Sequence, residues 1–211
     1  MKDWFRRKTW TNTDEEEFFA KLKRARNNGR AQYLKIQAIE LVETRKNELL
    51  DVAEVLLNKV LIEYPEDRFE KSSVLHTLGD IYKLRGNYEK ALDYYGQSLD
   101  FEKIFPRVIT SSYLDFSELV VKTSRKSLYE ATEALLESKL EEQLFPVAKY
   151  KMYSILSIIN HKKGNLEKAK HYCDLAEKNA NAETSGFRYH KFLGVVTEHD
   201  SWLDKLSGLN S

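Results

Sequence analysis

Apolar residues recur along the chain at the three- and four-residue spacing of amphipathic helices, most regularly between residues 72 and 105. Two apolar stripes are separated there by Arg85-Gly86-Asn87, and glycine is favoured where a helix ends. Since so short a turn makes the two helices antiparallel and neither can bury its stripe alone, we expect further helix pairs beside them. The first stripe contains Val74, Leu75, Leu78, Ile81 and Tyr82, and the second contains Tyr88, Ala91, Leu92, Tyr95 and Leu99.

The turn between these two stripes has a second copy downstream. Residues 164–169 (Gly-Asn-Leu-Glu-Lys-Ala) match residues 86–91 (Gly-Asn-Tyr-Glu-Lys-Ala) in five of six positions and lie 78 residues further on. This offset corresponds to about two repeats of ~34 residues with an insertion of roughly ten. The pattern therefore predicts an all-α array of helix pairs, more than ~60% helical and without a sheet.

Residues 72–105 resemble a tetratricopeptide repeat through Leu75, the pair Leu78-Gly79, Tyr82, Ala91 and Tyr95. The resemblance implies a right-handed α-solenoid of antiparallel helix pairs, with Gly79 where the two helices of one repeat pass closely. It also implies repeats at 34–67, 72–105, 107–145 and 150–183. In 34–67 the inter-helix glycine is missing and residues 45–47 take the turn, and in the degenerate 107–145 we expect helices near 109–121 and 128–144.

Both ends of the chain are expected to cover the open ends of this array. Residues 1–33 form an N-terminal arm and a capping helix, which begins at a capping box of Thr13 and Glu16 and ends near 27–29. Residues 184–211 form a C-terminal cap, with one or two helices between 187 and 206. Its inward-facing residues are predicted to be Phe192, Val195, Val196, Trp202 and Leu206.

Composition is typical of a globular intracellular protein. Hydrophobic residues make up 42% of the chain and charged residues 32%, and the net charge is +1. A single cysteine, Cys173, allows no intrachain disulfide and fits a reducing compartment. The chain has neither a secretory-type apolar segment near its N-terminus nor an apolar run of about 18 residues, so we expect no membrane span and a cytoplasmic location.

Motifs of catalysis and cofactor binding are missing from the sequence. It contains no phosphate-binding glycine loop and no nucleophile elbow. His161, His171 and Cys173 are close in sequence, but their spacing matches no zinc-site pattern. We therefore expect no catalytic residue, no metal site and no cofactor, and a protein that is not an enzyme.

The resemblance also implies a binding surface, because in this family the first helix of each pair lines a concave groove. The last groove position of three repeats is Arg45, Lys83 and His161, a basic edge that favours acidic ligands. The same cations could instead serve only to balance the helix dipoles. The groove-lining residues implied by the resemblance are Lys35, Arg45, His76, Asp80, Lys83, Lys151, Ser154 and His161.

The N-terminal arm interleaves aromatic and cationic residues: Trp4, Arg6, Arg7, Lys8 and Trp10. Such a segment can contact nucleic acid or an anionic membrane surface. Alternatively, its aromatic side chains fold back onto the first helix pair as a cap. The sequence leaves both interpretations open.

These observations predict a non-catalytic scaffold that binds a peptide or protein partner, acidic in character, in the concave groove. Two alternatives use the same fold: a specific inhibitor, immunity or regulatory protein, and a helical repeat that binds nucleic acid. The second needs a continuous basic face, and the 33 Asp and Glu residues disfavour it. The sequence indicates no particular partner or oligomeric state.

Overall fold

The computed structural model describes residues 3–207, which form ten α-helices and one short 3-10 helix and contain no strand. About 70% of these described residues are helical, which confirms the all-α prediction. None of the helices within 3–207 has both the length and the apolar character needed to cross a bilayer. The helices are α1 (Asn12–Arg24), α2 (Asn27–Val42), α3 (Asn47–Glu63), α4 (Lys71–Leu84), α5 (Tyr88–Ile104), α6 (Ser112–Lys122), α7 (Tyr129–Leu140), α8 (Pro146–Lys163), α9 (Leu166–Ala180) and α10 (Ser201–Ser207), and the 3-10 helix is Lys126–Leu128.

Glycine terminates the two helices that precede the repeated Gly-Asn turns. Gly86 and Gly164 have φ angles of +73° and +83°, a left-handed conformation that glycine adopts without steric cost. The next residue then donates its backbone N–H to a carbonyl in the last turn of the helix, Asn87 to Tyr82 and Asn165 to Asn160, both at 2.9 Å. The two copies of the motif thus end α4 and α8 in the same way.

Two further helix turns use a left-handed residue that is not glycine. Arg45 has a φ of 57° between α2 and α3, and Ser124 has a φ of 55° between α6 and α7. The Ser124 turn lies between the two helices predicted in the degenerate segment 107–145. A side chain in this conformation costs roughly 1–2 kcal/mol relative to the right-handed one.

The chain divides into two compact units, one up to Ser112 and one from Tyr113. In the first unit α2 packs against α3 and α4 packs against α5, while α4 also contacts α2 and α3. The helices α1 to α4 share one apolar core, since a helix pair can bury its apolar stripes only against its neighbours. Fully buried members of this core are Phe18, Leu34, Ala38, Leu41, Ala53, Leu57, Val74, Leu78 and Ile81.

Helices α4 and α5 pass close to each other at Gly79, as the resemblance implied. A Cβ atom placed on residue 79 would overlap the ring of Tyr95, which is fully buried. The Tyr95 hydroxyl passes the crossing and donates a hydrogen bond of 2.7 Å to Asp80. Only glycine therefore leaves room for the tyrosine at this point.

The start of α1 differs from the prediction. Thr11, not Thr13, is the N-cap: its hydroxyl accepts the Asp14 N–H at 3.1 Å, and the Asp14 carboxylate accepts the Thr11 N–H at 2.9 Å. The capping box is therefore Thr11 and Asp14, two residues before the predicted Thr13 and Glu16. The predicted end of this helix was also wrong, since α1 ends at Arg24 and Asn27 already begins α2.

In the second unit α8 is the central helix and contacts α7, α9 and α10. The C-terminal cap is shorter than predicted, because residues 181–200 are irregular and only Ser201–Ser207 is helical. Gly186 and Gly194 adopt left-handed φ angles of +82° and +72°, which interrupt a helix. Consequently Phe192 and Leu206 are exposed rather than inward-facing, while Val195, Val196 and Trp202 are half-buried.

A buried carboxylate joins α7, α8 and α9. Glu133 accepts hydrogen bonds from the Asn160 amide at 3.0 Å, from Lys163 at 2.8 Å and from Lys168 at 2.5 Å. Burial alone would raise the pKa of Glu133, but these three donors outweigh it and lower the pKa to about 2.

We predict that Gly79→Ala lowers the free energy of unfolding by about 1–3 kcal/mol, because the new methyl group displaces the buried Tyr95 ring. Chemical denaturation measures this change. Gly96→Ala on α5 is the control: no atom lies within 4 Å of the added Cβ, so alanine should leave stability unchanged or raise it by up to about 1 kcal/mol. Equal effects of the two variants would contradict the close crossing.

A second prediction concerns acid stability. Because the pKa of Glu133 is about 2 in the folded protein against an ordinary 4.5, its stabilisation is present above pH 4.5 and is lost as the pH falls towards 2. Glu133→Gln should cost about 1–3 kcal/mol at neutral pH and flatten this part of the pH–stability curve; the value is modest because Lys163 and Lys168 are partly exposed. The exposed Glu130 on the same helix provides the control, Glu130→Gln, for which a similar loss would refute the assignment.

Candidate partner-binding groove

A depression of about 480 Å³ lies between α2 and α4 in the first unit. Its residues come from the second half of α2, from the turn that follows, and from α4. We call it the first-unit groove. It is lined by Ile39, Val42, Glu43, Arg45, Ser73, His76, Thr77, Asp80, Lys83 and Leu84.

Four of the sequence-predicted groove residues meet in this depression: Arg45, His76, Asp80 and Lys83. Arg45 precedes the other three residues by at least 31 positions along the chain. His76, Asp80 and Lys83 lie on α4, whereas Arg45 lies in the turn that follows α2, and these two helices are the first helices of neighbouring pairs. The face of α4 that the resemblance implied borders the depression, but Arg45 does not take the helical position of Lys83 and His161: it lies two residues before α3, as Gly86 lies two residues before α5.

The groove combines an apolar strip with cations. Ile39 and Val42 on α2 and Leu84 on α4 supply the apolar side chains, and Leu84 is 43% exposed. Arg45 is exposed at the end of α2, and Lys83 lies in the last turn of α4. The arrangement can hold an apolar side chain beside a negatively charged group.

Two carboxylates also line the groove, and both have partners within the first unit. Asp80 accepts the Tyr95 hydroxyl at 2.7 Å, and its other oxygen lies 3.6 Å from Nδ1 of His76. Glu43 forms an ion pair with Lys8 of the N-terminal arm. These contacts offset part of the negative charge that the groove would otherwise present.

Ser111, His76 and Asp80 lie in the order of a catalytic triad, but the geometry does not support that role. The Ser111 hydroxyl is 3.2 Å from Nε2 of His76. The 3.6 Å between His76 and Asp80 is too long for the hydrogen bond that orients a catalytic histidine. A serine nucleophile also needs a nearby backbone N–H that stabilises the substrate oxyanion. The N–H of Ser112, the residue after Ser111, is instead donated to the Thr110 hydroxyl at 3.2 Å.

The remaining predicted groove residues lie outside the first-unit groove. Lys35 forms a largely buried ion pair of 2.5 Å with Glu70. In the second unit Lys151 lies 3.8 Å from Glu118 and 3.7 Å from Asp200, and Ser154 is buried.

His161 is exposed on α8 and borders a smaller depression of about 200 Å³ together with Ser157, Lys170 and Cys173. Burial raises the pKa of the Cys173 thiol, with Asp174 and Glu177 adding to the effect. The thiol is therefore less acidic than an ordinary cysteine, whereas a nucleophilic cysteine needs a lowered pKa.

The aromatic residues of the N-terminal arm pack against the first helices. Trp4 lies 5.2 Å from Phe18 and 5.0 Å from Tyr33 between ring centres, and Trp10 lies 5.3 Å from Phe18. This geometry agrees with the interpretation of the arm as a cap. The arm's aromatic surface is partly buried by these contacts.

The cations of the arm pair with carboxylates on α1 and α2. Arg6 and Lys8 each lie 2.7 Å from Glu40, and Arg7 lies 2.6 Å from Glu17. Gln37 completes the attachment by accepting the Arg7 N–H at 3.0 Å and donating to the Arg7 carbonyl at 2.8 Å. Contact of the arm with nucleic acid or a membrane stays a prediction from the sequence.

Sequence reasoning missed some of the lining. Ile39 and Leu84 lie on the predicted face, four residues after Lys35 and four after Asp80, so helical periodicity alone could have identified them. Glu43 gave no such signal, because it follows the end of α2.

Residues 72–103 match the tetratricopeptide repeat family, so α4 and α5 form such a repeat. Over 48 residues the chain is 44% identical to the photosystem I assembly protein Ycf3 of Acaryochloris marina (strain MBIC 11017). This match covers 23% of the chain and 27% of that protein. No solved structure matches the chain.

A further stability prediction concerns Arg45. Its backbone is left-handed, and the left-handed residue in the α4–α5 and α8–α9 turns is glycine. Arg45→Gly should raise the free energy of unfolding by about 0.5–1 kcal/mol. The reciprocal change Gly86→Ala should lower it by about 1 kcal/mol, and since nothing lies within 4 Å of the new Cβ, the cost is conformational. If Arg45→Gly destabilises the protein in thermal and chemical unfolding, the arginine makes a stabilising contact instead.

Proposed function

We propose that the chain is a non-catalytic scaffold that binds a peptide or protein partner in the first-unit groove. One observation carries the proposal: residues predicted to face a ligand in two separate repeats, Arg45 from one and His76, Asp80 and Lys83 from the next, border a single depression. Each repeat contributes its first helix, so the surface is continuous across the repeats.

The chemistry of the groove favours a partner segment that carries a carboxylate next to an apolar side chain. Arg45 and Lys83 supply positive charge, and Ile39, Val42 and Leu84 supply the apolar strip. Exposed ion pairs contribute only a few tenths to about 1 kcal/mol each, so most of the affinity comes from the apolar side chain of the ligand. The cations set orientation and speed association. His161 lies in the second unit and is not part of this proposal.

The backbone at Arg45 supports a binding role for its side chain. The residue keeps an unfavourable left-handed conformation where the equivalent turns have Gly86 and Gly164. Strained residues concentrate at binding sites, where the side chain serves a purpose that glycine cannot serve. An arginine that contacts a ligand carboxylate explains why the strain is kept.

The comparisons support the class of function. The matched repeat is a protein-interaction module, and the similar stretch of the cyanobacterial relative belongs to a protein named for assembly. The match spans about a quarter of each chain, so it supports the class of function and not a particular target.

The test is a double charge reversal, Arg45→Glu with Lys83→Glu, measured against a partner captured from the native host and then purified. We expect roughly tenfold weaker binding, mainly through slower association, with the difference shrinking as salt is added. The control is Arg68→Glu with Lys103→Glu, which makes the same charge change at exposed positions outside the groove lining. Unchanged binding by the groove variant, or an equal loss in both, would place the interface elsewhere.

A further inference from the structure

The irregular segment between α9 and α10 contains an ordered loop at residues 185–194, which we call the 185–194 loop. Ser185, at its start, is hydrogen-bonded to residues 190 and 191: the Ser185 N–H donates to the Lys191 carbonyl at 2.6 Å, and the Ser185 hydroxyl donates to the His190 carbonyl at 2.8 Å. Loops without secondary structure that are closed by their own contacts are frequently functional.

Contacts with the start of α8 fix the base of this loop to the second unit. The Gly194 carbonyl accepts the Val147 N–H at 2.8 Å. The ring of Phe145 lies against Gly194 and is 5.6 Å from the ring of Phe187 between centres. The loop therefore cannot turn its outer side chains inward without breaking these contacts.

The exposed side chains of residues 187–193 are apolar or basic. Tyr189 is 81% exposed, Phe192 is 76% exposed and Leu193 is 55% exposed. Arg188 precedes Tyr189, and His190 and Lys191 lie between Tyr189 and Phe192; all three are exposed as well. Residues 184–197 contain no Asp or Glu, so no acidic side chain within this stretch offsets the cations.

We propose that the 185–194 loop docks onto an anionic membrane surface. Tyr189, Phe192 and Leu193 enter the interfacial region of the bilayer, and Arg188 and Lys191 reach the lipid phosphate groups. A bilayer accepts projecting aromatic and aliphatic side chains without a matching pocket, and its negative surface complements the acid-free loop.

Two other occupants fit less well. A nucleic-acid strand needs a row of cations along its phosphates, whereas residues 113–211 carry 14 Lys and Arg against 14 Asp and Glu. A stable protein interface buries about 800 Å² on each partner, more than a loop with three projecting apolar side chains offers. The small apolar area of the loop is sufficient for binding to a membrane, because lipids surround each inserted side chain.

Co-sedimentation of the full chain with vesicles tests the proposal. We expect binding to phosphatidylcholine vesicles that contain phosphatidylglycerol, little binding to phosphatidylcholine alone, and weaker binding at high salt. Tyr189→Ser with Phe192→Ser and Leu193→Ser should reduce binding about tenfold or more. Arg188→Gln with Lys191→Gln should have an effect of similar size.

The control variant removes equally exposed apolar side chains from the first unit: Ile62→Ser, Phe69→Ser and Ile104→Ser, which are 78%, 76% and 71% exposed in the wild type. It should bind anionic vesicles like the wild type.

The proposal is overturned if the wild-type chain fails to bind these vesicles, if the loop variants bind normally, or if the control variant loses as much vesicle binding as the loop variants. It is also overturned if the loop variants lose affinity for a single-stranded oligonucleotide but not for vesicles. Unfolding curves of each variant confirm that the fold is kept.

Discussion

The first unit depends on the crossing of α4 and α5, where the missing side chain of Gly79 leaves room for the buried ring of Tyr95. This contact lets the apolar faces of α4 and α5 pack closely against each other, and this packing stabilises the repeat. The same tyrosine also contacts the first-unit groove, because its hydroxyl donates a hydrogen bond to the carboxylate of Asp80, which lines the groove. The ring of His76 lies 5.5 Å from the Tyr95 ring between centres. One close approach therefore determines both the packing of the repeat and the orientation of two groove residues.

The sequence was most informative where a local rule decides the structure. Apolar spacing identified α4 and α5, and the repeated Gly-Asn turns predicted where α4 and α8 end. The capping box was ambiguous, because Thr11 and Thr13 are each followed three residues later by an acid, and the structure uses the first pair. The segment before α10 was mispredicted because its conformation follows from Gly186 and Gly194 together with the contact to Phe145, which is distant in sequence.

The family resemblance identified part of the lining of the candidate groove, namely His76, Asp80 and Lys83 on α4 and Arg45 in the turn after α2. It could not predict which charges are already engaged. Lys35 lies on the predicted face but pairs with Glu70, and Glu43 pairs with Lys8, in each case a partner 35 residues away. The same holds for the N-terminal arm, whose cations would attract an anionic partner in isolation but here face Glu17 and Glu40. Long-range ion pairs leave no periodic signal in a single sequence.

In the proposed function, the face of α2 and α4 toward the first-unit groove receives the partner. NMR chemical shifts on the full chain can map where an acidic peptide selected from a library binds. We expect the shifted amides to cluster in 39–45 and 73–84, around Arg45 and Lys83. Shifts confined to the surface around Ile62, Phe69 and Ile104, with none in these two segments, would contradict it.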